Sequence, residues 1–150
     1  MFKKLDQILT KINPKESTLK LILIVEDSEV DRRIIEQTVQ RAGYQSVLAE
    51  NGKKGLEMVK KERPDLIILD CEMPVMGGKE MCENLKNDLK TQNIPIIFLT
   101  SIDTPDNIVE CFELEAQNFL RKPVQPRVLI SHIKTILNAL NEYFINYVRH

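Results

Sequence analysis

The chain has 150 residues, of which 43% are hydrophobic and 29% charged, enough apolar material for one folded domain and too much for a disordered segment. Its 21 Lys and Arg against 22 Asp and Glu leave a net charge of −1, which argues against direct grip on nucleic acid, where a basic excess is needed. The longest uninterrupted aliphatic run, Leu21–Val25, is far short of the roughly 20 apolar residues of a membrane span, and Asp6, Gln7 and Lys11 break any secretory core near the start.

Residues 1–19 read as a helical extension, with Phe2, Leu5, Ile8, Leu9 and Ile12 on one face and Pro14 ending it. Leu21–Val25 is an aliphatic run without alternation, the pattern of a strand buried on both faces. Ser28, with Asp31 three residues on, caps a helix in which Val30, Ile34, Ile35, Val39 and Ala42 recur at helical spacing, and Gly43 supplies the stop. Ser46–Ala49 is a weaker strand. Asn51-Gly52 then turns the chain into a short helix marked by Leu56 and Val59. Leu66–Leu69 is a second doubly buried strand, and Met81, Cys82, Leu85 and Leu89 mark a third helix. Ile94–Leu99 is a strand. Thr104-Pro105 opens a fourth helix carrying Ile108, Val109 and Phe112 inside and Asp106, Glu110 and Glu113 as an acidic set. Asn118–Leu120 is the last strand, and Gln125-Pro126 opens the fifth helix.

Strand and helix thus alternate five times, which predicts an open parallel α/β sheet with helices on both faces and right-handed crossovers. Cys71, Cys82 and Cys111 show no metal-ligand spacing, and an odd number of cysteines fits a reducing cytoplasm better than a disulfide framework. His132 and His150, the two histidines, both lie late in the chain and suit no Cys–His catalysis.

In such a sheet ligands gather at the carboxyl ends of the strands. The first strand ends in Glu26-Asp27, the third in Asp70, the fourth in Thr100-Ser101, and Lys122-Pro123 follows the fifth. Any one of these residues alone is a cap, a turn or a solvated charge. Together they deliver three acids, a hydroxyl and an amine to one edge. Three carboxylates close together repel one another unless a cation sits among them. With no His or Cys nearby, the donor set is oxygen alone, which suits Mg²⁺, with Mn²⁺ as a substitute. Lys122 adds a charge for an anionic ligand, and a cation, a carboxylate and a lysine together suit a phosphoryl group carried by an Asp nucleophile.

These residues resemble the receiver domain of two-component response regulators over about residues 20–138. Glu26-Asp27 after an aliphatic strand, Ala49-Glu-Asn-Gly52, Ala116-Gln-Asn-Phe-Leu-Arg-Lys-Pro123, and the D-x-x-M-P-x-M-x-G pattern at Asp70, Met73, Pro74, Met76 and Gly78 occur in the family's order and spacing. The resemblance implies a flavodoxin-like (βα)5 fold with strand order 2-1-3-4-5, an N-terminal extension and a long last helix. It implies Asp70 as phosphoacceptor. Glu26, Asp27, Asp70 and the backbone carbonyl of Glu72 would hold Mg²⁺. Thr100 and Lys122 would bind phosphoryl oxygens, and Phe119 would be the aromatic switch. The donor would be a sensor histidine kinase or histidine phosphotransfer domain, and the chain would act as a switch and not a conventional enzyme. Three departures stand out: Glu26 where Asp is often found, Glu72 as a fourth acid at the rim, and Phe119 without the hydroxyl of Tyr.

Two alternatives compete with this reading. An Asp-nucleophile phosphohydrolase of the haloacid dehalogenase type would want Asp where Glu72 stands. A partner-binding pseudo-receiver would have lost its phosphoacceptor or its lysine.

The last helix has its own signature. Leu129, Ile133, Ile136, Leu140, Tyr143 and Tyr147 are spaced 4, 3, 4, 3, 4, a heptad seam, and no Gly follows Gly78 and no Pro follows Pro126. Residues 139–150 therefore extend the helix past the receiver surface; the N-terminal segment, a second copy of the chain, or both would cover them, and a solvated tail is the remaining alternative.

Overall fold

The computed structural model describes residues 19–101 and 118–149. The fourth helix expected from Thr104-Pro105, with its acidic set, and the N-terminal amphipathic segment lie outside the described residues. Within them the order is β1 (Leu21–Val25), α1 (Glu29–Arg41), β2 (Gln45–Ala49), α2 (Gly52–Glu62), β3 (Leu66–Asp70), α3 (Gly78–Lys86), β4 (Ile96–Thr100), β5 (Asn118–Arg121) and α4 (Pro126–Arg149).

All five strands pair in parallel in the order β2-β1-β3-β4-β5, the sheet of a flavodoxin-like fold. Alternate residues of each strand feed two separate cores. Ile22, Ile24, Leu66, Ile68, Ile97 and Leu99 pack on one face under Ile35 and Val39 of α1 and Leu129, Ile133, Ile136 and Leu137 of α4. Leu23, Val25, Ile67, Leu69, Ile96 and Phe98 pack on the other under Val59 of α2 and Met81, Cys82 and Leu85 of α3. This double cover is why the strand sequences run apolar without alternation.

Local chemistry sets the helix ends. The Ser28 hydroxyl accepts from the Asp31 N–H, and the Asn51 carbonyl oxygen of the side chain accepts from the Lys54 N–H. Gly43, with φ of 95°, turns the chain out of α1.

Three expectations are corrected. Leu89 does not extend α3: the helix stops at Lys86, the Thr91 hydroxyl donates to the Leu85 carbonyl, and Leu89 sits in the following turn, largely exposed. Val30 and Ile34 of α1 are exposed, so its buried stripe is narrower than its apolar spacing. β4 starts at Ile96 and not at Ile94, because Pro95 has no N–H for the ladder, although its carbonyl accepts from Ile67.

Two backbone positions hold the loop after β3. Gly78 lies against the end of that strand, where an added Cβ would come within 2.2 Å of the Asp70 carbonyl oxygen. Val75 closes a tight turn in which the Met76 N–H donates to the Pro74 carbonyl at 2.8 Å, with Val75 at φ of 71°. A β-branched residue in that region is strained.

Opposite changes in stability follow at these two positions. Gly78→Ala is expected to cost roughly 2–3 kcal/mol, since backbone must yield to the new methyl. Val75→Gly is expected to stabilise by up to about 1 kcal/mol through relief of strain. Urea unfolding midpoints of the two variants, moving down and up from the parent, check both.

Candidate functional site

β1 and β3 are neighbours in the sheet, with Val25 paired to Leu69, although β2 lies between them in sequence. The winding reverses at this pair, and a crevice opens past the carboxyl ends of its strands. Glu26 and Asp27 leave β1 there, and Asp70 ends β3 beside them. One carboxylate oxygen from each of Glu26, Asp27 and Asp70 lies within 4.8 Å of the others. Glu26 is fully buried, Asp70 nearly so, and Asp27 is exposed.

Lys122 reaches the cluster from beyond β5, across the end of β4. Its N–H donates to the Thr100 carbonyl at 2.9 Å, which fixes the root of the side chain, and its bond to Pro123 is cis. The ammonium lies 2.7 Å from Glu26 Oε1, 3.3 Å from Asp70 Oδ2 and 3.7 Å from Asp31 Oδ2. Burial raises the Glu26 carboxyl to about 8, reinforced by Asp70 and opposed by Lys122. Burial alone would lower Lys122, but its hydrogen bond to Glu26 and the Asp70 charge outweigh that and hold it above the usual lysine range.

The remaining expected residues surround this centre. Thr100 is buried at the end of β4. Phe119 pairs in register with Phe98 and packs, partly buried, on the same core as Phe98 and Met81. The Glu72 side chain is exposed, while its N–H donates to Asp70 Oδ1 at 3.3 Å, so one phosphoacceptor-candidate oxygen is held by backbone and the other faces Lys122.

Two residues join the site that the sequence reading placed elsewhere or passed over. Asp31, expected only as a capping partner, approaches Lys122 from the first turn of α1. Arg32 donates from its guanidinium to the Glu26 carbonyl at 2.8 Å and the Asp27 carbonyl at 3.4 Å, clamping the acidic pair. The only signal available for either was a position one helical turn after the pair. Beside Lys122 and Asp31, Ile34, Thr38, Pro123, Val124 and Pro126 line a concavity of about 340 Å³.

The donor set fits a hard divalent cation. It offers only carboxylates, and Glu26 Oε2 is buried without a hydrogen-bond partner, an arrangement costly to keep unless an acceptor-seeking charge completes it. Among the described residues, no helix is long and apolar enough to cross a membrane.

Comparison with known proteins places these features in a family. Residues 22–134 match the response regulator receiver domain. The chain is 37% identical over 118 residues to the phosphate regulon transcriptional regulatory protein PhoB of Pseudomonas aeruginosa, covering 79% of this chain and 52% of PhoB. It therefore spans about half the length of that relative, and 25% of the response regulator PleD of Caulobacter vibrioides, to which it is 32% identical over 77% of its own length. Among solved structures, the signal receiver domain of a signal transduction histidine kinase from Syntrophus aciditrophicus superposes with a TM-score of 0.76 at 37% identity, covering 80% of this chain and 91% of that one. The chemotaxis protein CheY4 of Vibrio cholerae superposes with a TM-score of 0.75 at 31% identity, covering 79% and 98%. These matches favour neither the phosphohydrolase nor the pseudo-receiver alternative. The family match runs through every strand that carries the acidic cluster and its lysine, and the chain belongs to the response regulator receiver domain family, the signalling domain of two-component systems.

Proposed function

We propose that this receiver takes a phosphoryl group onto Asp70 from a phosphohistidine of a sensor kinase or histidine phosphotransfer domain in the cytoplasm, and signals the change to a partner or output domain. The observation that carries the reading is one ammonium and three carboxylates meeting where β1 and β3 end. An Asp70 oxygen attacks phosphorus, the P–N bond to the imidazole breaks with its electron pair leaving on nitrogen, and an aspartyl phosphate results. Lys122 and the Thr100 hydroxyl then bind phosphoryl oxygens. Glu26, Asp27, Asp70 and the Glu72 carbonyl would hold Mg²⁺, and a bound divalent cation supplies charge neutralisation at the phosphoryl oxygens. Hydrolysis of the aspartyl phosphate resets the switch without turnover of a separate substrate, so the chain is not a conventional enzyme. As Thr100 moves toward the phosphoryl group, Phe119 turns into the space it leaves, and the surface around β5 repacks. The apolar concavity lined by Ile34 and Pro123 adjoins Lys122 and suits a partner helix brought up to Asp70.

A second copy of the chain is the partner proposed for the end of α4. Leu129, Ile133 and Ile136 of its seam are buried on the sheet, whereas Leu140, Tyr143 and Tyr147 continue the same spacing in solvent, the two tyrosines 74% and 75% exposed. Each such side chain contributes roughly 1.5–3 kcal/mol when fully covered, and the unbroken heptad register suits a like helix alongside.

Two outcomes are expected. Acetyl phosphate with Mg²⁺ adds one phosphoryl mass, labile to hydroxylamine, to the full chain and none to Asp70→Asn; equal labelling of the variant would remove Asp70 from its role. In sedimentation at tens of micromolar, the full chain runs as a dimer and a chain ending at Asn138 as a monomer. A monomeric full chain would assign the cover to the N-terminal segment instead.

A further inference from the structure

Within the site, the closest partner of Lys122 is not the proposed phosphoacceptor. Its ammonium sits 2.7 Å from Glu26 Oε1, a direct hydrogen bond, and 3.3 Å from Asp70 Oδ2. The other Glu26 oxygen is buried, has no hydrogen-bond partner, and belongs to the cluster it forms with Asp27 and Asp70. One carboxylate therefore faces the ammonium with one oxygen and the acidic cluster with the other. Two cations that draw on one carboxylate weaken each other's hold on it, and they also repel directly.

We infer that Glu26 competes with Asp70 for Lys122 in the cation-free chain, as its nearer partner, and gives it up when a divalent cation takes over the Glu26 carboxylate. The inference rests on the proposed cation site at Glu26, Asp27 and Asp70 and adds a coupling that the site alone does not require. Asp70 Oδ2 is the next acceptor within reach, so Lys122 freed from Glu26 is already beside the oxygen where phosphoryl charge would develop. Asp31, 3.7 Å away and half exposed, is a weaker holder. The length of Glu26 matters. Shortening it by one methylene withdraws the carboxylate by about 1.5 Å, which breaks the direct contact with Lys122 while keeping a carboxyl group. Because coupling free energy is reciprocal, the ammonium must oppose cation binding by the same factor with which the cation loosens the ammonium.

The test is a Mg²⁺ titration of the full chain, followed by amide shifts around Asp27 and Asp70 and by the Lys122 ε-methylene resonance. The parent, Glu26→Asp, Lys122→Gln and the double variant are compared. Lys122→Gln is expected to tighten Mg²⁺ about tenfold with Glu26 in place and less than threefold in the Glu26→Asp background, a difference that pure through-space charge would not produce. In the parent, the Lys122 resonance moves with the same midpoint as the amides. In Glu26→Asp it starts near its Mg²⁺-bound position and moves little, which needs no Lys122 substitution and so survives any folding defect of that variant. Equal tightening in both backgrounds, or a Lys122 resonance that ignores Mg²⁺ in the parent, overturns the inference and leaves the cation site standing. A parent chain whose amides near Asp27 and Asp70 do not respond to Mg²⁺ overturns the cation site and the inference together.

Discussion

A partly buried ammonium shared among carboxylates is the contact on which the active edge of this receiver depends. Glu26 is fully buried and Asp70 nearly so, and carboxylates held side by side repel one another. Lys122 offsets their repulsion from a third direction, with Asp31 adding a weaker contact from α1. The balance is incomplete, because the Glu26 carboxyl remains raised to about 8 through burial and Asp70. A centre with one positive charge too few suits a divalent cation, which would also offset the negative charge of the phosphoryl group proposed for Asp70.

The rest of the fold keeps that centre rigid. Every strand that delivers a functional residue is packed on both faces, so the carboxyl ends of β1, β3 and β4 cannot shift independently. Lys122 spans the end of β4 only because its own N–H is tied to Thr100, which puts the root of a flexible side chain in the sheet ladder. Arg32 fixes the acidic pair from the side through two carbonyls. The loop after Asp70 is closed by the tight approach of Gly78 and by the Gly52 N–H, which donates to the Met76 carbonyl at 3.0 Å. Phe119, on the edge strand β5, is only partly buried on the core.

Much of this could be read from residues alone, for physical reasons. Doubly buried strands announce themselves as aliphatic runs, and Ser28, Asn51 and Pro126 mark helix starts through local chemistry that needs no tertiary information. The cluster was visible because strand ends in a parallel sheet share one edge, and the family resemblance supplied the strand order that makes β1 and β3 adjacent. What escaped depends on contacts between distant segments. Nothing in the sequence says that Lys122 prefers Glu26 to Asp70, since that turns on distances across three strands. Arg32 looked like one surface cation among many. Leu89 fitted a helical spacing, but the Thr91 hydroxyl and the turn around Asp88 ended the helix first. Val30 and Ile34 fitted the spacing too, yet Ile35 and Val39 are the residues of that helix that are buried. The end of α4 was legible as a continuing helix because no residue stops it, and it is helical through Arg149.

The most direct test of the central claim is the structure of the full chain with Mg²⁺ and beryllofluoride, a stable stand-in for a phosphoryl group on a carboxylate. The account predicts beryllium bonded to an Asp70 oxygen, fluorines contacted by Lys122 and Thr100, and Mg²⁺ held by Glu26, Asp27 and Asp70, with the Lys122 ammonium moved off Glu26. Beryllofluoride bound at another carboxylate, or an adduct on Asp70 with Lys122 still 2.7 Å from Glu26 Oε1, would contradict it.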